Sequence, residues 1–216
     1  MNQTAEKYHW LDWARFFAAF WVLVVHARSS NWNAYGDLHS EAQTWPVAIF
    51  FAVTRLGYEA VIFFFVLSGF LVGGKLLERC LDKSFDVSAY ALDRVTRIYV
   101  PLVPAVIFSA ILAVFRSKQV DLSTVIGNLL GLQGVLVRSV PGNEPLWSLA
   151  YETWFYVMAG SLGFALTGHR NRAGAVVLLT VSMLVFTVLD PVLLMTWWLG
   201  ASHYTHLRVH EPSWRI

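Results

Sequence analysis

The stretch from Leu11 to Ala27, LDWARFFAAFWVLVVHA, most constrains what this chain can fold into. It is apolar except for Asp12 and Arg15 near its start and His26 near its end. Arg15 and His26 are eleven positions apart in the sequence, so a helix places both side chains within about 20° of one stripe and about 16 Å apart along its axis. An ionisable group inside a bilayer costs roughly 2.5–3.5 kcal/mol or more unless it faces protein or a wet cavity. The stripe therefore predicts the wall of a site within the membrane.

The composition indicates an integral membrane protein. Of the 216 residues, 56% are hydrophobic and only 14% are charged, whereas about 25% are charged in an average soluble domain. Long unbroken apolar runs and many aromatic residues are typical of transmembrane helices with interfacial belts. The net charge of +2 is too small to indicate nucleic acid as a partner. We expect an all-α polytopic transmembrane helical bundle of about six or seven membrane helices in a lipid bilayer.

Basic residues predict the orientation of the chain. Five Lys or Arg residues lie between positions 75 and 97, and short loops rich in Lys and Arg stay in the cytoplasm. This segment and the amino terminus are therefore expected inside, and residues 29–45 outside, in a multi-pass protein of the inner (plasma) membrane.

The apolar runs also predict where the helices lie. The first is expected at 11–28, the second at 57–74, and the third from Pro101 to Phe115, since proline is tolerated at a helix start. Residues 122–137 are short for a span and are expected to be re-entrant or tilted. Further spans are expected at 146–166 and 173–189, followed by an apolar run that ends at Ala201. Residues 1–201 would then form the transmembrane domain and 202–216 a polar tail.

Four stretches together resemble the membrane-bound acyltransferase family 3, the bacterial O-acyltransferases. They are LDWARFFAAFWVLVVHA from Leu11, FFFVLSGFL from Phe63, RVTRIYVP from Arg94 and PLWSLAYETWFY from Pro145. Each is a weak pattern alone, but the four occur in the order of the family. The resemblance implies a membrane enzyme that moves an acyl group, expected to be acetyl, from cytoplasmic acyl-CoA to a hydroxyl of a saccharide or lipid-linked sugar.

Family members usually have roughly ten spanning helices of about 20 residues each, so the chain resembles a member shortened at its C-terminus. A truncated, catalytically inactive membrane protein is therefore one alternative. A transporter that uses Arg15, His26 and Glu152 as a proton or anion path is another, although the sequence shows no inverted repeat of the kind that many transporters carry.

The catalytic candidates are His26 and Glu152. A lone His in an apolar helix is more often a packing residue, but the spacing from Arg15 and the resemblance favour a function. A neutral imidazole can take the proton of an attacking sugar hydroxyl, or it can carry the acyl group itself, and the sequence does not separate these routes. Glu152 lies in an apolar segment, where it either orients His26 or binds acceptor hydroxyls; the alternative is an interfacial carboxylate at a helix start.

The candidates for binding acyl-CoA are Arg15, Arg94 and Arg97. A guanidinium grips phosphate with two hydrogen bonds, and coenzyme A carries several phosphates. The alternative for Arg94 and Arg97 is an ordinary cytoplasmic anchor, and Asp12 is placed to pair with Arg15 three residues later.

Other conspicuous residues are assigned structural roles. Cys80 is expected to be an incidental thiol in a charged loop, and Ser68 and Gly69 to allow close helix packing. Trp147 and Tyr156 are read as belt aromatics, with stacking on a sugar as the alternative. No metal site is expected, because the three histidines of the last segment have few Cys, Asp or Glu residues nearby as further ligands. Those histidines are His203, His206 and His210.

Overall fold

The long apolar runs of the sequence form helices, because a backbone in lipid must satisfy its own hydrogen bonds. The structure is a computed structural model that describes residues 9–167 and 172–209. Within them, the only β-type pairing is one isolated bridge between Gln133 and Val137. The helices are α1 His9–Asn31, α2 Trp45–Val53, α3 Gly57–Ser68, α4 Gly74–Leu81, α5 Val87–Phe115, α6 Leu122–Leu129, α7 Trp147–Thr167, α8 Arg172–Val185 and α9 Pro191–Val209.

The expected all-α transmembrane class is confirmed. In the described part of the chain, three helical segments are long and apolar enough to cross a bilayer: Trp10–Asp37, Trp45–Leu81 and Val87–Phe115. A shorter apolar helix covers Arg172–Val185. The chain forms two compact units, Met1–Phe65 and Val66–Ile216.

The basic segment is mostly helical, and the expected loop at 75–97 is wrong in its extent. Helix α4 continues to Leu81, and α5 already begins at Val87, so the connection is residues 82–86. The carboxylate of Asp86 caps α5 by accepting hydrogen bonds from the backbone N–H of Ser88 and Ala89, at 2.8 and 3.2 Å. A capping carboxylate satisfies amides that a helix start leaves unpaired, which explains why α5 begins there.

The third helix does not begin at Pro101, as the sequence predicts. Pro101 and Pro104 lie inside the 29-residue helix α5. Interior proline removes a helical hydrogen bond, but membrane helices tolerate it because neighbouring groups satisfy the freed carbonyl oxygens. The expected start is wrong because a helix in lipid can hold proline in its interior, so proline there does not mark a helix start.

Residues 122–137 do not form a spanning helix. Helix α6 has eight residues, or about 12 Å of rise, well short of a hydrocarbon core of about 30 Å. After it the chain turns through Gly131 and Gly134, whose φ angles of +68° and +83° suit glycine. The side-chain amide of Gln133 donates to the backbone oxygen of Leu146 at 2.7 Å and ties the turn to the start of α7. The segment is therefore not an ordinary spanning helix, and its re-entrant or tilted placement stays a prediction.

The last helix is longer than the sequence predicts. Helix α9 continues past Ala201 to Val209, so the polar residues that follow Ala201 do not start a tail. Tyr204 explains the extension: its ring contacts the ring of Phe70, and its hydroxyl donates to Oε2 of Glu78 at 2.6 Å. A polar face of the C-terminal part of α9 therefore packs against α4.

Glycines bring α9 against the α3–α4 helix pair. The two helices are joined by a π-helical segment, Gly69–Gly73, a geometry often found at functional sites. A methyl group on Gly69 would lie 1.8 Å from the backbone oxygen of Trp197, and one on Gly200 would lie 2.1 Å from that of Val66. Only residues without a side chain allow backbones this close, which confirms the packing role expected for Gly69.

Candidate active site

A hydrogen-bonded group of side chains from three helices surrounds Tyr156 in the unit Val66–Ile216. The hydroxyl of Tyr156 donates to Oε1 of Glu152 at 2.5 Å, and Oγ of Ser68 lies 3.3 Å from the same hydroxyl. The indole Nε1 of Trp197 donates to Oγ of Ser68 at 3.1 Å. We call Ser68, Glu152, Tyr156 and Trp197 the polar cluster. It connects α3, α7 and α9, and each member has a partner for its polar group.

Helix geometry explains the central pair of the polar cluster. Glu152 and Tyr156 are four residues apart on α7, so their side chains meet on one face. Glu152 lies more than one turn after the start of α7 at Trp147, beyond the reach of the helix dipole at the first turn. Its carboxylate is therefore held by a specific phenol and not by the end of the helix.

Arg94 places a cation beside the polar cluster. Its guanidinium carbon lies 5.0 Å from the ring centre of Tyr156 and 5.9 Å from that of Tyr90. It is also hydrogen-bonded to Asp93, and only 16% of its side chain is exposed. Its Nε and Nη1 atoms are buried and have no hydrogen-bond partner among the described residues. A desolvated guanidinium on an aromatic face with free N–H groups is suited to donate hydrogen bonds to an oxygen of a ligand.

The RVTR motif divides into two environments. Arg94 and Arg97 are three positions apart, but Arg94 is covered by protein and Arg97 is exposed. Tyr90 sets this orientation of α5, because its hydroxyl donates to the backbone oxygen of Tyr156 at 3.1 Å. The ring of Tyr90 fits over Gly160, where a methyl group would lie 2.7 Å from it. Helix α5 therefore turns Arg94, and not Arg97, towards α7.

Next to Arg94, a cavity of about 290 Å³ lies between α5, α7 and α8. Its wall is almost entirely apolar, and Arg94, Tyr90 and Tyr156 form the side nearest the polar cluster. The site thus combines a held carboxylate, a largely covered cation and an apolar pocket within one unit.

Arg15 and His26 both lie on α1, in the unit Met1–Phe65. The expected ion pair is confirmed, since Nη1 of Arg15 donates to Oδ1 of Asp12 at 3.1 Å. His26 is half-buried, and in the described part of the chain its ring has no hydrogen bond; its backbone oxygen accepts one from Ser29. The expected contact between the His26 ring and Glu152 stays a prediction.

Near His26, the same unit shows how α1 packs against the following helices. The guanidinium of Arg28 lies 4.8 Å from the ring centre of Phe51. A methyl group on Gly57 would lie 2.8 Å from a side-chain carbon of Val25. Residues next to His26 on α1 are therefore packed against α2 and α3.

Sequence reasoning missed two members of the polar cluster. Ser68 appeared to be a packing residue, and Trp197 was not singled out, yet Trp197 is fully buried and donates to Ser68. A serine inside the apolar run FFFVLSGFL was the available signal, because a hydroxyl in lipid needs a partner. Tyr156 is 3% exposed, so it lies in the protein interior and not in an interfacial belt.

The remaining candidates lie outside this cluster. Cys80 is a free, half-buried thiol on α4 and not in a loop. His203 is on α9, and His210 falls outside the described residues. In the part of the chain that the structure describes, no group of three or more His, Cys, Asp or Glu side chains is placed to hold a metal ion.

A family model described as an acyltransferase domain, that of acyltransferase family 3, matches residues 8–208. The match covers α1 to α9 almost completely and includes every candidate residue named above except His210. Comparisons with curated proteins and with solved structures gave no match.

Proposed function

This chain belongs to the acyltransferase family 3, a family of membrane O-acyltransferases, and we propose that it transfers an acyl group from acyl-CoA to a hydroxyl of a saccharide or lipid-linked sugar. The proposal places the protein in the inner membrane, with its amino terminus and the connection at residues 82–86 in the cytoplasm. Basic residues on both sides of that connection support this orientation, and the cytoplasm is where acyl-CoA is available.

Arg94 carries the proposal for donor binding. Its buried Nε and Nη1 lack partners in the described residues, and leaving such donors unpaired costs about 1–3 kcal/mol each, or more for a charged group. An oxygen of acyl-CoA, on a phosphate or on the thioester, would satisfy them. The proposed set of donor-binding cations also includes Arg97, at the exposed surface of α5, and Arg15 on α1. Arg15 also forms an ion pair with Asp12.

His26 is the proposed centre of the chemistry, by one of two routes. In the first, its imidazole takes the proton of the acceptor hydroxyl while the hydroxyl oxygen attacks the thioester carbon; the carbon–sulfur bond breaks and coenzyme A leaves as a thiolate that is then protonated. In the second, an imidazole nitrogen attacks the thioester carbon, the carbon–sulfur bond breaks and coenzyme A leaves as a thiolate; the acceptor oxygen then attacks the acyl carbon, the carbon–nitrogen bond to the imidazole breaks, and the acceptor proton passes to the thiolate.

Glu152 is proposed to hold the acceptor or the imidazole. Tyr156 fixes one carboxylate oxygen, Oε1, at 2.5 Å, and in the described residues Oε2 has no hydrogen bond. A carboxylate fixed in this way can accept a hydrogen bond from a sugar hydroxyl or from an imidazolium and can thereby hold either in one orientation.

The experiment supplies acetyl-CoA or decanoyl-CoA, each labelled in its acyl group, to membranes that contain the chain and follows the label into glycans, compared with membranes that lack it. Arg94→Gln should raise the KM for the donor at least tenfold, because a donor contact is lost in both the bound and the transition state. Arg116→Gln is the matched control: Arg116 is exposed and caps the far end of α5. The proposal fails if no glycan gains label, or if Arg94→Gln and Arg116→Gln give the same KM.

A further inference from the structure

The cavity beside Arg94 has a long apolar wall along α5, α7 and α8. It follows α5 from Val87 to Tyr99, a rise of about 18 Å. Helix α7 runs antiparallel to α5 along the cavity, since Tyr90 contacts Gly160 and the later residue Arg94 contacts the earlier residue Tyr156. At its edge, Ala91 and Val95 are exposed, so the cavity opens sideways from the helices. It is therefore an elongated groove with a lateral opening.

The polar groups of this wall are largely turned away from the cavity or already used. The hydroxyls of Thr153 and Ser161 donate to backbone oxygens of their own helix, at 2.8 and 2.7 Å. The hydroxyls of Tyr90 and Tyr156 donate to the backbone oxygen of Tyr156 and to Glu152. What these groups present to the cavity is carbon, and a cavity of this kind favours hydrocarbon over water.

Two other polar residues line this wall, Arg94 and Tyr99, and the Nε and Nη1 atoms of Arg94 are buried and have no partner among the described residues. A ligand that fits both features has an oxygen-bearing head for the guanidinium and one alkyl chain for the groove. We infer that the groove holds the hydrocarbon chain of a fatty acyl-CoA donor, with an oxygen of the donor on Arg94.

The volume suits one chain of medium length. An apolar cavity of about 150 Å³ holds one benzene, and the groove, at about 290 Å³, is roughly twice that size. It matches a single chain of about ten carbons better than the two chains of a phospholipid or the two carbons of acetyl. This inference rests on the proposed function for its thioester donor, and it replaces the expected acetyl group by a longer acyl group.

The test uses the full chain in lipid nanodiscs and a decanoyl-CoA that carries a photoreactive diazirine near the end of its alkyl chain. After illumination, the label should be found on peptides that line the inner groove, such as those with Phe164 or Ala175. An excess of unlabelled decanoyl-CoA should remove the label. Binding is read without turnover, so an inactive chain can still be tested.

Two variants fill the groove, and one matched variant does not. Ala91→Phe and Val95→Phe place a ring in the lateral opening, and either should reduce the labelling at least fivefold. Ala89→Phe makes the same change on the same helix at an exposed position that does not line the cavity, and labelling should stay within about twofold of the unmodified chain. Binding of radiolabelled acetyl-CoA should be the same in all three variants, because a two-carbon group does not reach the groove.

The outcomes separate this inference from the proposed function. If acetyl-CoA binds but the label spreads evenly over outward-facing residues such as Val100 and Phe108, or if neither filling variant reduces it, the groove does not hold the acyl chain. A diazirine phospholipid that labels the groove and resists decanoyl-CoA would assign the groove to bilayer lipid and also overturn the inference. If neither acetyl-CoA nor decanoyl-CoA binds, the acyl-CoA donor itself is wrong.

Discussion

The phenol hydroxyl of Tyr156 donates a 2.5 Å hydrogen bond to Oε1 of Glu152, one turn earlier on the same helix. A charge-assisted hydrogen bond of this length is strong, and Oγ of Ser68 approaches the same hydroxyl at 3.3 Å. The carboxylate is thereby held in one position on an otherwise apolar helix. Mutations can therefore separate the contribution of its charge from the contribution of its position.

Tyr156→Phe should reduce acyl transfer at least tenfold, about 1.4 kcal/mol of barrier, because the carboxylate loses the group that positions it. Glu152→Gln keeps a hydrogen-bond acceptor for the phenol but removes the charge. If the reaction depends on the negative charge of Glu152, Glu152→Gln should reduce acyl transfer at least a hundredfold, measured as label transferred per amount of protein. Near-normal transfer by Glu152→Gln together with a large loss in Tyr156→Phe would reduce Glu152 to a positioning residue.

His26→Ala should lower turnover by at least 10²-fold, about 2.7 kcal/mol, as expected for a lost general base or acyl carrier. Folding should survive, since the ring has no hydrogen bond in the described residues and its removal leaves no group unpaired. Arg15→Ala should instead raise the donor KM. The measurement is acyl transfer at equal protein level, and full activity in His26→Ala would remove this histidine from the mechanism.

Gly69→Ala should strongly reduce the amount of folded protein. Its methyl group would lie 1.8 Å from the backbone oxygen of Trp197, and overpacking of this kind costs about 1–3 kcal/mol or more. Gly36→Ala is the matched control, because nothing lies within 4 Å of its added methyl group. Thermal unfolding in detergent should show a lower midpoint for Gly69→Ala alone; equal midpoints would contradict the close approach of α3 and α9.

The orientation of the chain can be tested through its single cysteine. Cys80→Ser should leave activity within about threefold, less than about 1 kcal/mol, and provides a background without thiols. In this background, a cysteine at Lys83 should be protected from an impermeant thiol reagent in intact cells, and one at Gly36 should be labelled. The reverse pattern would place the connection at residues 82–86 outside and contradict a cytoplasmic donor site.

The sequence by itself determined the membrane class, the all-α fold and the family, because apolar runs and short motifs are local properties of the chain. It also predicted the Asp12–Arg15 pair, the packing role of Gly69 and the absence of an ordinary spanning helix around α6, each from spacing or length within a few residues. It was wrong about the start of α5 and the end of α9. Proline inside a membrane helix and polar residues on a packed stripe depend on neighbouring helices that local patterns do not describe.

Only the tertiary structure decided which polar side chains act together. Ser68, Tyr156 and Trp197 are far apart in the sequence, and the hydrogen bonds that join them exist because glycines let α3 and α9 approach. The two arginines of the RVTR motif are equivalent in sequence, but the fit of Tyr90 against α7 covers most of Arg94 and leaves Arg97 exposed. The groove beside Arg94 is likewise a property of three packed helices, since it is the space that their side chains leave unfilled.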